Sequence, residues 1–125
     1  DIIAVVADGL DMLNEDCFDA KGYGYETLSA HGAMGASETI NFAAAALHSG
    51  TLSANCSWTF TAPEQFPMKC RVLITQGAGS YTITYPGSVV WLGDGVAKQP
   101  NTTNGNVSAF TALYDGTNYY ASMVN

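Results

Sequence analysis

The two histidines, His31 and His48, are the side chains best suited to acid–base chemistry, because the ordinary histidine pKa lies close to neutral pH. They are the only histidines in the chain. Neither lies beside a serine or cysteine motif of the nucleophile-elbow type. His31 lies in a glycine-rich stretch and His48 in a weak strand pattern. We therefore expect both to be structural residues rather than catalytic bases.

The acidic residues do not form a catalytic or metal-binding pattern. Those near the N-terminus lack the alternating ligands and central glycine of an EF-hand calcium loop. On a helix, Asp8, Asp11 and Glu15 would share one solvated face. Asp94, within Gly-Asp-Gly, is expected to stabilise a turn, and the other carboxylates do not suggest the acid pair of a glycosidase. The sequence predicts no enzyme, no metal site and no cofactor.

The three cysteines, Cys17, Cys56 and Cys70, cannot all pair within one chain. The simplest interpretation is that they are buried reduced thiols, since free cysteine behaves as a small hydrophobic residue. A single bridge within the chain and a bridge between subunits are the alternatives. No Cys-x-x-Cys pair and no Cys/His spacing indicates zinc.

Composition narrows the possible partners. The chain has 125 residues, enough for one core, and only 12% of them are charged. Four residues are Lys or Arg, and the formal net charge is −7. Binding to nucleic acid or to an anionic membrane needs a basic surface, so neither is expected. No apolar run approaches the roughly 18 residues that cross a bilayer, and we expect no membrane insertion.

The first segment, residues 1–22, predicts a short N-terminal helix followed by a glycine-rich break. Its apolar residues recur at steps of three and four, which is the spacing of a coiled-coil seam. One interpretation is an amphipathic helix that lies on its own domain, and the other is a stalk that joins subunits. The seam consists of Ile3, Val6, Leu10 and Leu13, with Cys17 at the next position.

Residues 23–125 change to a period of two, with seven to nine short strands. The clearest is 56–63, where Cys56, Trp58 and Phe60 point one way. The glycine-rich stretch 31–36 is expected to separate the first two strands, and Asp115-Gly116 predicts a hairpin. The predicted fold is all-β, a small antiparallel β-sandwich of jelly-roll type preceded by the short helix.

Aromatic residues are the richest feature of this β-domain. Trp58 and Trp91 are expected in the core. Tyr119 and Tyr120 are adjacent on a strand and must face opposite ways, so at most one of them packs inside. For tyrosines that stay exposed, a subunit interface and a platform for a ligand are both open interpretations.

Residues 39–125 contain an ordered series of short motifs. They are Thr59 to Pro63, Leu73 to Gln76 before a glycine turn, Thr82 to Trp91, and Asp115 to Tyr120 near the C-terminus. In this order and spacing they resemble the small β-domain at the ends of tailed-phage tail fibres and related virion proteins. The chain departs from that pattern in its three cysteines and in "WLGDG", where the family more often has a second glycine in place of the aspartate.

The resemblance implies a virion structural protein, the head of a tail fibre or similar appendage, which serves in assembly and host-surface attachment. Such domains are typically trimeric and have no catalysis. It implies a homotrimer on the phage tail or capsid surface, with other virion proteins and a host surface glycan or protein as partners. Val90 and Leu92, opposite Val89 and Trp91 on their strand, would meet a neighbouring subunit. A non-adhesive capsid or tail decoration protein and a carbohydrate-binding module are the alternatives.

Overall fold

The computed structural model describes residues 27–125, which form nine β-strands and no helix. The strands are β1 (Leu28–Met34), β2 (Ser37–Asn41), β3 (Leu47–Leu52), β4 (Cys56–Thr61), β5 (Met68–Thr75), β6 (Ile83–Thr84), β7 (Val89–Trp91), β8 (Val107–Tyr114) and β9 (Tyr119–Val124). The described part of the chain is therefore all-β, as the sequence predicts. The predicted helix of residues 1–22 and its seam (Ile3, Val6, Leu10, Leu13) lie outside the described residues.

Polar and apolar residues alternate along the strands, and this alternation determines which side of each strand is buried. In β4, Cys56 and Trp58 are buried while Ser57 and Thr59 are exposed. In β5, Cys70, Val72 and Ile74 are buried, and the residues between them face outward. The same pattern in β8 buries every second residue from Ser108 to Tyr114.

The strands form a six-stranded sheet, ordered β1-β3-β5-β8-β9-β7, and a three-stranded sheet, ordered β2-β4-β6. The chain crosses from one sheet to the other after each of the first six strands. Successive strands of the same sheet therefore run in the same direction, as Ser29 opposite His48 and Ser37 opposite Ser57 illustrate. Only the pairs β5–β8 and β8–β9 are antiparallel.

The prediction of an antiparallel arrangement is therefore wrong for the described residues, where both sheets are mostly parallel. Of the seven strand pairings, five are parallel. Hydrophobic alternation has the same period in parallel and antiparallel strands, so it does not reveal strand direction. The direction follows from whether a connection returns to the same sheet or crosses to the other one.

A single hydrophobic core lies between the inner sides of the two sheets. Trp58 of the three-stranded sheet meets Phe110 of the six-stranded sheet edge to face, with ring centroids 5.5 Å apart. Phe60 packs on Tyr119 edge to face and on Phe110 in a tilted arrangement. Aromatic pairs in these geometries contribute about 0.5–1.5 kcal/mol beyond the area they bury. Trp58 and Trp91 are both buried, which confirms their predicted place in the core.

Strand β1 runs through the glycine-rich stretch that was expected to separate two strands. Its register against β3 shifts between Ala30 and Ala33, which marks a β-bulge. Gly32 has a φ of +70°, a backbone conformation that glycine adopts without steric cost. The bulge keeps the strand paired on both sides of the glycine, and His31 lies within it.

The predicted hairpin at Asp115-Gly116 is present, and a second turn lies at Pro86-Gly87. Asp115 and Gly116 begin the β8–β9 hairpin, where the Asp115 carboxylate accepts hydrogen bonds from the backbone N–H groups of Thr117 and Asn118. At Pro86-Gly87 the Val89 N–H donates to the Pro86 carbonyl oxygen, and the chain passes from the three-stranded to the six-stranded sheet. The first turn joins paired strands, whereas the second joins strands of different sheets.

Candidate interaction surface

The outward side of the six-stranded sheet is the most distinctive surface of the described residues. Six of the nine large hydrophobic side chains that are exposed lie on it. We call this surface the outer face. Its exposed apolar residues are Leu28, Leu73, Val90, Val107, Leu113 and Val124, and Leu47, Ala109 and Tyr120 lie among them, more fully buried.

Strand register places these side chains in rows that cross the sheet. One row joins Leu73 of β5, Ala109 of β8 and Val124 of β9. A second row joins Leu113, Tyr120 and Val90 across β8, β9 and β7. Side chains directly opposite each other on neighbouring strands lie about 4.5–5.5 Å apart, so each row is a continuous apolar strip.

Charge is almost absent from this sheet. None of its six strands contains Asp or Glu, and the only charged side chains on its outer face are Lys69 and Arg71. The carboxylates of Asp94 and Asp115 lie in loops instead. The Lys98 ammonium, 2.9 Å from Asp94, is the main reason that the pKa of that carboxyl is lowered. The outer face is therefore poor in charge and largely apolar.

The structure places the sequence-predicted surface residues in two different environments. Val90 is exposed and Tyr120 is half-buried, and they are direct partners in the β7–β9 pairing. Leu92 follows β7 and is exposed beyond the end of that strand. Tyr119 does not belong to the surface, because its side chain points inward and is 3% exposed. Its inward direction follows from the alternation along β9.

Cys56 and Cys70 are both buried free thiols, so no bridge joins them. Burial raises the pKa of the Cys70 thiol to about 12. Burial, and secondarily the charge of Glu38, raises the pKa of Cys56. A thiol held neutral in this way is a poor nucleophile. Cys17 lies outside the described residues, and its pairing stays a prediction.

A network of two histidines and a glutamate lies on the inner side of the sheets, and the sequence analysis did not predict it. His31 of β1 lies between Glu38 of β2 and His48 of β3. His31 Nδ1 is 2.6 Å from Glu38 Oε2, and His31 Nε2 is 2.8 Å from His48 Nδ1. His48 Nε2 lies 2.9 Å from the Ala45 carbonyl oxygen and 3.1 Å from that of Asn41. The three residues are far apart in sequence, and the pairing of β1 with β3 and the packing of the two sheets bring them together.

This histidine network has the components of a catalytic relay but not the surroundings of one. Its last nitrogen, His48 Nε2, donates to backbone oxygens rather than facing an open cleft, and His48 is 1% exposed. A cleft of about 250 Å³ is lined by Phe42, whose ring meets His48 edge to face, but not by either histidine. Glu64 is the one ionisable residue that lines this cleft. Within residues 27–125 no three His, Cys, Asp or Glu side chains are arranged to hold a metal ion.

In comparisons with known proteins, no family model, no curated protein and no solved structure matches this chain. In the part of the chain that the structure describes, there is no helix with the length and apolarity that a membrane span requires.

Proposed function

We propose that this protein is a structural component of a phage virion, and that its β-domain is the head of a tail fibre or similar appendage. The outer face carries the assembly part of this proposal. The ordered motifs of residues 39–125, which resemble the terminal domains of tail fibres, carry the assignment to a virion. The two sheets and their shared core are interpreted as a small β-sandwich that acts without catalysis.

The proposed occupant of the outer face is a second copy of this chain, within a homotrimer. Exposed apolar patches of several hundred Å² often mark sites of association on soluble proteins. Six strands of three to eight residues, at spacings of about 4.8 Å and about 3.3 Å per residue, give a face on the order of 500 Å². A stable interface buries about 800 Å² per partner, so the face supplies a large part of one and needs further contacts.

The seam predicted for the N-terminal segment is the proposed source of those contacts. The first described strand, β1, belongs to the six-stranded sheet, so the segment joins the domain at the edge of the outer face. Seven of the eleven acidic residues precede Thr27, whereas Lys69 is an exposed cation on the face. Attraction between these opposite charges would favour assembly between chains.

Almost all aromatic rings of the described residues are at least partly buried, which favours a protein over a sugar as the partner of the outer face. Among the described residues, Phe66 is the only aromatic side chain that is exposed. Its ring packs edge to face on Tyr114 at the hairpin rather than joining a platform of rings. Carbohydrate-binding modules stack sugars on exposed rings, so this alternative has little support here. Attachment to a host glycan or protein would then use the trimer rather than one chain.

The first test is the solution mass of the full chain, measured by light scattering after size exclusion with and without reductant. The mass of a trimer is expected, and covalent multimers lost on reduction would add a bridge between subunits. Val124→Lys places a charge in the Leu73 row and should shift the mass toward monomer. Val96→Lys is the matched control, since Val96 is an exposed valine away from the outer face.

A monomer at every concentration would overturn the trimer, and equal masses for the two variants would exclude the outer face as its interface. Function on the virion needs a second measurement, in which the labelled wild-type assembly is incubated with bacterial cells and with purified phage particles. Binding to cells is expected for a fibre head. Binding to particles without binding to cells would instead identify a decoration protein.

A further inference from the structure

We propose that His31, Glu38 and His48 form an acid-sensitive latch, which holds β1 and β2 against β3 at neutral pH and loosens when the group takes up an additional proton. The latch lies on the inner side of the sheets and is independent of the outer face. It therefore does not rest on the proposed function.

The hydrogen-bond geometry fixes the number of protons that the latch holds. His48 Nε2 faces two carbonyl oxygens, so it must carry a proton and donate it. Neutral His48 then accepts at Nδ1, and His31 Nε2 must donate to it. A third proton lies between His31 Nδ1 and Glu38 Oε2, whose separation of 2.6 Å is typical of a charge-assisted hydrogen bond. With these three protons the group has no net charge.

A fourth proton has no place that preserves this balance. If it binds His48 Nδ1, an N–H group faces the His31 N–H, in rings whose centroids are 5.0 Å apart. If it binds Glu38 instead, the carboxylate charge that balances the His31 side is lost. Either way an uncompensated positive charge is left among half-buried and buried side chains, which is unfavourable. The latch is thus matched to one protonation state.

The environment of His48 sets the direction of the pH effect. Burial is the main cause that lowers the pKa of His48 from 6.5, and the neighbouring His31 lowers it further, whereas the bonds to the Ala45 and Asn41 carbonyls act in the opposite direction. A group whose pKa is lower in the folded state stabilises that state at pH values above its unfolded pKa. This contribution is lost as pH falls from about 6.5 through the lowered value.

The neighbouring elements contribute few other charges to the latch. Strand β4 places the Cys56 thiol near Glu38, and that thiol is neutral because its pKa is raised. The loop after β2 contributes the edge of the Phe42 ring against His48. Among the described residues, the titratable groups that act on the latch are therefore its own three members and Cys56.

The position of the latch explains which part of the molecule would respond. β1 and β2 each pair with a single strand, β3 and β4 respectively, and each is the first strand of its sheet order. Edge strands open more readily than central ones, since fewer contacts must break. Met34 and Ile40 also anchor this region through burial, so acid is expected to increase local opening rather than to unfold the whole chain.

Amide hydrogen exchange of the full chain between pH 7.5 and pH 4.5 tests the proposal, once rates are corrected for the intrinsic effect of pH. Amides of β1 and β2 should open more often as pH falls, by up to about tenfold per pH unit for uptake of one proton. Amides of β5 and β8 should not. Equal behaviour of the two groups would overturn the latch.

A ¹⁵N NMR spectrum of the histidine side chains at pH 7.5 provides a test that needs no substitution. His48 should carry its proton on Nε2 with Nδ1 bare, and His31 Nε2 should be protonated. Any other protonation pattern of His48 contradicts the assigned positions of the protons. Glu38→Gln removes the balancing charge and should move the opening of β1 to higher pH. Glu64→Gln, the same change at an exposed residue outside the latch, should leave the profile unchanged.

Discussion

Gln76 is a buried amide whose loss should destabilise the fold more than that of any exposed polar residue. It follows β5, is 1% exposed, and uses its full hydrogen-bonding capacity. Its Nε2 group donates to the carbonyl oxygens of Tyr81 (3.0 Å) and Asn101 (2.9 Å). Its Oε1 accepts from the backbone N–H groups of Gly77 and Tyr81, each at 2.9 Å. One side chain thus joins the end of β5 to the loops before β6 and β8.

Gln76→Leu keeps the approximate shape of the side chain but leaves four backbone groups without their partner. An unsatisfied buried group costs about 1–3 kcal/mol. Tyr81 and Asn101 are only half-buried and water can reach some of these groups, so we expect the lower end for each, or about 4 kcal/mol together. Domains of this size have a free energy of unfolding of about 5–15 kcal/mol, so the loss is a large fraction.

Urea unfolding measures this loss, with Gln65→Leu as the matched control at an exposed glutamine. At a slope of about 1.5 kcal/mol per molar urea, Gln76→Leu should lower the midpoint by roughly 2–3 M. The control should stay within about 0.5 kcal/mol of the wild type. Gln76→Glu should also be destabilised at neutral pH, because a carboxylate oxygen would face two carbonyl oxygens, and less so in acid. Equal midpoints for the two leucine variants would refute the reasoning.

Three further predictions concern the backbone, a buried hydroxyl and the thiols. A Cβ atom at Gly77 would lie 2.0 Å from a backbone oxygen of β3, so Gly77→Ala should cost about 3 kcal/mol in urea unfolding, whereas Gly87→Ala, in open space, should not. The Tyr119 hydroxyl is buried without a hydrogen-bond partner among the described residues, so Tyr119→Phe should leave the thermal midpoint unchanged or raise it. Tyr114→Phe, which loses a 2.9 Å bond to a carbonyl, should lower the stability by about 1 kcal/mol. Alkylation mapped by mass spectrometry at pH 8 should label Cys70 only after urea is added, because burial raises its pKa to about 12, and rapid labelling of the native protein would contradict its buried position.

The individual strands could be predicted from the sequence because a strand that is buried on one side has an apolar residue at every second position. Cys56, Trp58 and Phe60 in β4 are an example, since the pattern alone places all three on the inner side. The hairpin at Asp115-Gly116 could also be predicted, because glycine readily adopts the positive φ of +105° found there. These features depend on neighbouring residues only, which is why one sequence was enough to find them.

Strand direction and the histidine network could not be predicted, because both depend on residues that are distant in sequence. Alternation in β3 is the same whether its partner is parallel or antiparallel. The stretch around Gly32 reads as a turn, yet a positive φ is equally compatible with a bulge inside a strand. His31 and His48 each looked like isolated structural histidines, and nothing local indicates that strand pairing and sheet packing bring them together with Glu38.

The two proposals concern opposite sides of the same sheet, and this separation allows each to be tested without the other. Side chains alternate along β3, so His48 points into the core while Leu47 and Ser49 belong to the outer side. A charge introduced at Val124 should change the mass of the assembly but leave the exchange of β1 in acid as it is. Glu38→Gln should do the reverse, unless association covers β1 and protects it. If the trimer slows the exchange of β1 at every pH by the same factor, association and the latch stabilise the same edge independently, whereas a factor that changes with pH would mean that the two are coupled.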